Sequence, residues 1–433
     1  MYSPEPDEAC IGEGRISQVR IDGIRIDEAC IDGANNLLVA PSTLRDDASV
    51  KDFFGSVVTP EEFASGSTDL TRMSVYLCGD ISTIEGSRLG SADRVFVIEE
   101  LSHGYAEDVD GSVGEPWTVV GLGRVPLRVH GVGVYYPRYF DRGGDHFGRI
   151  SGEHAFQSLT ESTKTGVAHR SGIYLTPVTQ DGEERHFRLL RCSTNLSGPT
   201  ENFRPTDTHI VDELNREAAT VFRDQAPLNH VLAQIYHNTS ATAERKQAKA
   251  RISSHADKTK DMPVNGIMAF CTFYDGLDAL RPLAGDAFDY GVKGVSALTR
   301  LHFRLKDPAA ELAGVPLPPQ FGITLHPGSV FFMPLSTNRL YTHEIRPSAL
   351  NAELLPTRLG YVVRCSSAEA VHKDGHTFLK KGGDLVKLGP PTQGGMDELR
   401  RLYTEENRTT SFIDYGDAFL FSMNTGDYVA PAL

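Results

Sequence analysis

The feature that most constrains the fold is a succession of short apolar runs in the later part of the chain. VPLRVHGVGVYY, RSGIYLTPV, HFRLLRCS, GIMAFCTFY, ALTRLHFRL, SVFFMPL and RLGYVVRC follow one another between residues 125 and 365. Each is of strand length, rich in β-branched and aromatic residues, and bounded by turn residues. Helical patterning is confined mainly to 209–251, with HIVDELNREAATVF and PLNHVLAQIY, and to DELRRLYTEE near the end. Many strands of antiparallel length with few helices predict a mainly β (α+β) protein, a barrel or two-sheet jelly roll flanked by helices.

A chain of 433 residues exceeds one ordinary core and predicts one large domain or two. An echo near the start, EACIGEG at 8–14 and EACIDGA at 28–34, is joined by RISQVRIDGIRID, where Ile16, Val19, Ile21, Ile24 and Ile26 recur at near-even spacing. This reads as short amphipathic strands. The acidic stretch EDVDGSVGEP at 107–116 reads as a loop or linker, and the boundary is placed after it. The expected organisation is a β-rich accessory region over 1–125, a β-domain over 126–390, and a helix with tail over 391–433.

Apolar content of 40% and charged content of 23% are those of a folded protein. No run of eighteen apolar residues is present, so no membrane span is expected, and the acidic MYSPEPDEAC lacks the apolar core of a secretory signal. Cysteines 10, 30, 78, 192, 271 and 365 form no CxxC pair. That argues against a zinc ribbon or a disulfide framework and points to an intracellular chain, in cytoplasm or nucleus. A net charge of −14 gives no overall attraction to phosphate, so binding of DNA or RNA would need a local basic patch.

Chemistry concentrates in 250-ARISSHADKTKD-261. Along an extended RISSH strand His255 and Asp257 project to the same side. A second imidazole would complete a two-His-one-carboxylate triad, whose open positions suit non-haem Fe(II) and oxygen. His302, His326, His343, His372 and His376 are the candidates, and His343 has the best context, after the apolar GSVFFMPL and a polar turn. HKDGH, holding His372 and His376, reads as a surface turn. In RLGYVVRC, Arg358 and Arg364 are six apart and share one face of a strand. Guanidinium groups on the inner face of a β-domain call for anions, which a dicarboxylate would provide.

His-x-Asp, a distant His, and two arginines six apart on the following strand resemble the Fe(II)/2-oxoglutarate-dependent dioxygenases, and within them the AlkB-like branch, with TET-like nucleobase dioxygenases as neighbours. The resemblance runs through RISSHADKTKD, GSVFFMPLSTNRLYTHEI and TRLGYVVR, more loosely through HRSGIYLTPV, and covers about residues 165–366. It implies a double-stranded β-helix (jelly-roll) barrel. It also implies Fe(II) held by His255, Asp257 and His343, and 2-oxoglutarate and O₂ as co-substrates. Arg358 would neutralise the distal carboxylate of 2-oxoglutarate, with Arg364 and Tyr236 as further co-substrate contacts. The segment 276-GLDALRPLAGDAFDYGVKG-294 would be an insertion lying outside the iron site.

The implied reaction is oxidation of a C–H bond, with a methyl group on a nucleobase as the first reading. Arg245, Lys246, Lys249, Arg251, Lys258 and Lys260 form a basic run beside the ligands that could receive a phosphate backbone. Tyr174, Arg251 and Lys258 are the candidate substrate contacts, and the loop 191-RCSTNLSGPTENFRP-205 is a candidate lid. The alternatives are a dioxygenase hydroxylating a small metabolite or amino-acid side chain, and a non-catalytic jelly-roll binding protein.

Overall fold

The structure, a computed structural model, describes residues 28–44, 47, 50–66, 68–105, 117–160, 167–192, 196–307 and 317–433. RISQVRIDGIRID, the first half of the EAC echo and the EDVDGSVGEP stretch lie outside the described residues.

Two β-sheets facing each other form the centre of the molecule. The larger runs in the order Glu201–Asn202, Val167–Thr176, His230–Tyr236, Thr357–Arg364, Ile267–Asp275, Ser329–Pro334, Gly133–Tyr136 and Leu127–Val129. The smaller runs Ile252–His255, Tyr341–Ile345, Arg300–Leu305 and Gln320–Thr324, all antiparallel. Strand Ile267–Asp275 shows why the apolar runs look continuous. Ile267, Ala269, Cys271 and Phe273 pack with Ile210, Leu214 and Val221 of the helix Pro205–Val221. Met268 and Phe270 pack on the other side with Leu301, Phe303, Tyr341 and Ile345 of the smaller sheet. A strand covered on both faces has no reason to alternate with polar residues. Gly328 starts the next strand at φ 75, where a Cβ would lie 2.0 Å from the Phe140 carbonyl oxygen, so GSVFF needs its glycine.

Two expectations are corrected here. PLNHVLAQIY is not helical: His230–Tyr236 is a central strand paired on both sides. Val231, Ala233 and Ile235 join the core under the helices, while Leu232, Gln234 and Tyr236 face the opposite way, a period of two. The run is short enough that apolar spacing alone does not separate helix from strand. The polar turn before His343 is a short helix, Leu335–Leu340, and His343 sits in the middle of the strand Tyr341–Ile345. The short amphipathic strands expected over residues 16–26 lie outside the described residues, and the described N-terminal part is β-rich. Its strands Ser56–Val58, Asn36–Val39, Ser74–Asp80, Arg94–His103 and Thr118–Val120 form a parallel sheet, with short helices Pro60–Ser65 and Gly86–Leu89 in the connections. Parallel strands need crossovers and are buried on both faces, as the wholly buried Asn36–Val39 is.

A further antiparallel sheet, Thr179–Asp181, Glu184–Leu189, Ala368–Lys373, His376–Lys381 and Asp384–Lys387, carries HKDGH as a hairpin turn with Asp374 at φ 49 and Gly375 at φ 69. Segment 276–294 folds into a separate small sheet. The helix Gln393–Arg408 precedes a tail that returns to the larger sheet, where Ala432 bridges to Glu201.

The parallel sheet is locked to the centre by one buried ion pair. Arg94 Nη1 lies 2.8 Å from Glu217 Oε2, and Tyr136 donates to Glu217 Oε1 at 2.6 Å. Removing the carboxylate strands a largely buried guanidinium, so Glu217→Ala is expected to destabilise the protein by about 3–5 kcal/mol in urea unfolding, with Arg94→Met/Glu217→Leu recovering most of it. Burial raises the Glu217 pKa, but Arg94 outweighs it and holds the group below its ordinary 4.5. A depressed carboxylate stabilises the fold above its unfolded pKa and loses that contribution as pH falls through the folded value. The unfolding midpoint should therefore drop below pH 4.5, and drop less in Glu217→Gln.

Candidate metal centre and adjoining cavity

The smaller sheet places the two imidazoles. His255 and His343 are direct cross-strand partners on neighbouring antiparallel strands, and their rings stand 4.5 Å apart between centroids. The strand ends at His255, so Asp257 is positioned by other means. Buried Asn338, on the short helix, accepts from the Asp257 backbone N–H at 2.8 Å and donates to its carbonyl at 2.9 Å. The Asp257 carboxylate then lies with Oδ1 3.5 Å from His255 Nε2 and 3.9 Å from His343 Nε2. One ligand atom from each residue falls within 4.8 Å of the others. Bonds of about 2.0–2.2 Å to one ion put adjacent ligand atoms about 3 Å apart, so a small inward shift closes the set.

Protonation favours ligation. His255 Nδ1 sits 2.9 Å from the Ser253 carbonyl, which only accepts, so Nδ1 carries the hydrogen and Nε2 offers its lone pair to the centre. Burial, and then the neighbouring His255, push His343 down to about 3, leaving it neutral near pH 7. Burial raises Asp257, but Arg364 and the imidazoles outweigh it and hold the carboxyl well below the usual range. Arg364 does this through Nη2 at 2.6 Å and Nε at 3.1 Å, both to Oδ2, which leaves Oδ1 toward the histidines.

A cavity of 270 Å³ opens from this centre between the two sheets. The larger sheet supplies one wall in cross-strand rows. Arg170, Tyr236, Arg358 and Tyr274 form one row, and Gly172, Gln234, Gly360 and Thr272 the next. Six residues of strand separate Arg358 from Arg364, roughly 20 Å. The gap is bridged because Arg358 folds along the strand over Gly360: a Cβ there would lie 3.0 Å from Arg358 Nη1 and 3.2 Å from the Tyr236 ring. The guanidinium stacks 4.0 Å from the Tyr236 ring centroid, and Tyr236 donates to Gln234 at 2.9 Å. Arg358 is only 6% exposed, yet no carboxylate pairs with it among the described residues. Around the same cavity Thr272 Oγ1, Arg364 Nη1 and His343 Nδ1 are buried without hydrogen-bond partners. Orphaned polar groups around a cavity are what a polar occupant would satisfy.

The sequence candidates therefore divide. His255, Asp257, His343, Arg358, Arg364, Tyr236, Tyr174 and Lys258 all line this cavity. Tyr174 is buried with its hydroxyl 3.6 Å from Cys192 Sγ. Lys258 turns its Nζ to the Tyr403 carbonyl at 3.2 Å. Arg251 is exposed and does not line the cavity, because Ile252, next to it, is the side chain that faces inward. The basic run is partly consumed: Lys249 donates to the Ser348 and Leu350 carbonyls, and Lys260 pairs with Asp261. Arg245, Lys246 and Arg251 stay exposed. Arg191 is no lid residue, since it pairs with Asp261 at 2.7 Å and donates to the Phe419 and Phe421 carbonyls. His326 bonds with Tyr135 and faces Asp286, and His372 bonds with Thr377, so neither approaches Asp257.

Asn338, Gly360, Thr272 and Arg170 were missed by the sequence reading. Asn338 hid in what read as a turn, and the other three sit on inner-face positions that only cross-strand register reveals. A second cluster, Glu153, His154 and Asp207, lies on the helix side of the larger sheet. There His154 bonds through Nδ1 to Glu201 and through Nε2 to Asp207. Burial opposes its protonation, but Asp207 and Glu201 outweigh it and raise its pKa, and both ring nitrogens already face carboxylates.

No family model matches the chain, and no curated protein matches it. Solved structures do overlap with it. One is described as the structure of OsALKBH1, at 12% identity and a TM-score of 0.32, covering 55% of this chain and 98% of that one. Another is the non-heme alpha ketoglutarate dependent epimerase SnoN from nogalamycin biosynthesis, at 12% identity and a TM-score of 0.29, covering 61% and 91%. A third is a Pseudomonas putida prolyl-4-hydroxylase, at 10% identity and a TM-score of 0.26, covering 51% and 81%. Overlaps of this size leave the weight on the site's own geometry. No helix among the described residues is long and apolar enough to cross a membrane.

Because Asn338 fixes the Asp257 backbone without reaching the ligand atoms, Asn338→Ala should weaken Mn(II) binding about 10–100-fold in a calorimetric titration while leaving the fold intact.

Proposed function

We propose that the protein is an Fe(II)- and 2-oxoglutarate-dependent dioxygenase that oxidises a C–H bond, its facing sheets forming a double-stranded β-helix. The observation that carries this reading is the pairing of two features in one cavity: a convergent His255–Asp257–His343 set and a buried Arg358 with no anion of its own. A non-catalytic jelly roll has no use for either, since an unpaired buried guanidinium costs stability.

Each side chain has a definable task. His255, Asp257 and His343 would hold Fe(II) where the cavity begins. Arg364 keeps Asp257 ionised and aims Oδ1 at the ion. Arg358 receives the distal carboxylate of 2-oxoglutarate as a charge-assisted, two-pronged pair, with Thr272 beside it as a further donor. Gly360 keeps space open for that guanidinium, and Tyr236 holds it flat. When bound, iron and 2-oxoglutarate would supply the oxidising power for the C–H bond, drawing on O₂ and converting the co-substrate to succinate and CO₂. The apolar walls, including Phe270, Leu301 and Ile345, exclude water from that exchange.

On substrate, the geometry favours a small molecule over a flipped nucleobase. The 270 Å³ cavity must also hold 2-oxoglutarate, and ligand pockets usually measure about 300–1,000 Å³. The lysines of the basic run largely turn to the chain's own carbonyls and carboxylates. A methylated base in DNA or RNA, the AlkB-like reading, is the second possibility, kept open by the exposed Arg245, Lys246 and Arg251.

Anaerobic addition of Fe(II) and 2-oxoglutarate should produce the visible charge-transfer band of the chelate. His255→Ala should abolish it, and Gly360→Val, which crowds Arg358, should raise the 2-oxoglutarate concentration needed for half-saturation at least tenfold. No band in the wild type would refute the reading. Succinate release should respond to small organic acids or amino acids; release only with methylated oligonucleotides, suppressed by salt, would select the nucleic-acid reading instead.

A further inference from the structure

Arg170 is left over once the metal and the co-substrate have been assigned their partners. It stands in the same cross-strand row as Arg358, two strands away and separated from it by Tyr236. Adjacent strands are about 4.8 Å apart, so the two arginine Cα atoms are roughly 10 Å apart. Arg358 leans along its own strand over Gly360 and covers one side of Tyr236. Arg170 is half-buried, lines the cavity, and has no carboxylate, carbonyl or aromatic partner among the described residues.

The charge balance points the same way. Arg170, Lys258, Arg358 and Arg364 face the single carboxylate Asp257, which leaves the cavity lining three positive charges to the good in a protein whose net charge is −14. Fe(II) and the 2-oxoglutarate dianion cancel each other and leave that excess unchanged. Arg364 is matched by Asp257, and Lys258 lies over the Tyr403 ring with a carbonyl for its Nζ. Among the described residues lining the cavity, Arg170 is the cation left without a match.

Resting on the dioxygenase reading, we infer that Arg170 anchors an anionic group, a carboxylate or a phosphate monoester, on the molecule whose C–H bond is oxidised. The planar guanidinium fork suits either anion through two parallel hydrogen bonds. Anchored there, the substrate runs from the Tyr236 end of the cavity toward the His255 side, past Leu232 and Gln234, which lie between. An anion at that end fixes which carbon reaches the metal, so Arg170 sets regioselectivity as well as affinity.

The test uses the full chain, anaerobic and loaded with Fe(II) and 2-oxoglutarate, titrated calorimetrically with phenylacetate, phenyl phosphate and neutral benzyl alcohol. The two anions should bind at least tenfold more tightly than the alcohol, and whichever binds better identifies the anion class. Arg170→Gln should erase that preference, Arg170→Lys should keep part of it, and both should leave 2-oxoglutarate affinity within about twofold of wild type, as expected for removing a charged hydrogen-bond partner at a separate site. Equal binding of anions and alcohol by the wild type overturns the assignment, as does an anion preference that survives Arg170→Gln. Loss of 2-oxoglutarate affinity in Arg170→Gln but not in Arg358→Gln overturns it too, by making Arg170 the co-substrate anchor. Failure of the wild type to bind Fe(II) and 2-oxoglutarate at all refutes the dioxygenase reading; phenyl phosphate titrated against the metal-free chain and its Arg170→Gln variant then decides Arg170 separately, an affinity unchanged by the substitution counting against it.

Discussion

Everything in the centre of this molecule depends on one buried carboxylate held in a fixed orientation. Asp257 is nearly inaccessible, and an isolated carboxylate there would take up a proton and lose its value as a ligand. Arg364 prevents that from the larger sheet, while Asn338 clamps the backbone from the short helix. The pair crosses the gap between the two sheets, so the distance between them and the direction of Oδ1 are set together. The imidazoles then need only be cross-strand neighbours, which the smaller sheet ensures by register.

Register does the same for the other end of the cavity. In an antiparallel sheet residues opposite one another share a face, so a few paired positions become rows of side chains pointing into one space. Arg170, Tyr236 and Arg358 are far apart in sequence and adjacent in such a row. The missing side chain at Gly360 lets Arg358 lie down within it. Behind this wall, the helix Pro205–Val221 buries Ile210, Leu214 and Val221 against the sheet, and its Glu217 ties the parallel N-terminal sheet to the same surface. The cavity wall is thus rigid from behind, which is what a site with small tolerances requires.

How much of this was legible in the sequence follows from how local each signal is. GIMAFCTFY, SVFFMPL and RLGYVVRC are strands because β-branched and aromatic residues bounded by turns leave little choice, and they are strands here. PLNHVLAQIY misled because its apolar residues satisfy a helical spacing over so short a span, and only its two flanking strands decide the matter. The parallel N-terminal sheet was invisible for a similar reason: pairing direction is a property of distant segments. His255 and Asp257 were legible as a pair of ligand types two apart, and His343 from its context, although the strand expected to align the pair ends at His255, whereas Asn338 and Arg170 acquire meaning only when distant segments meet. Arg251 looked like a site residue because it belongs to a basic run beside the ligands, but Ile252 is the side chain that lines the cavity, and one position along the chain is the difference between inside and outside.

The central claim is that one ion and one dicarboxylate share the cavity between His255 and Arg358. Anomalous diffraction at the manganese edge, from crystals grown without oxygen with Mn(II) and 2-oxoglutarate, tests it most directly. The account predicts a single peak within bonding distance of His255 Nε2, Asp257 Oδ1 and His343 Nε2, with the distal carboxylate of 2-oxoglutarate on Arg358. A peak elsewhere, or a dicarboxylate that leaves Arg358 without an anion, would contradict it.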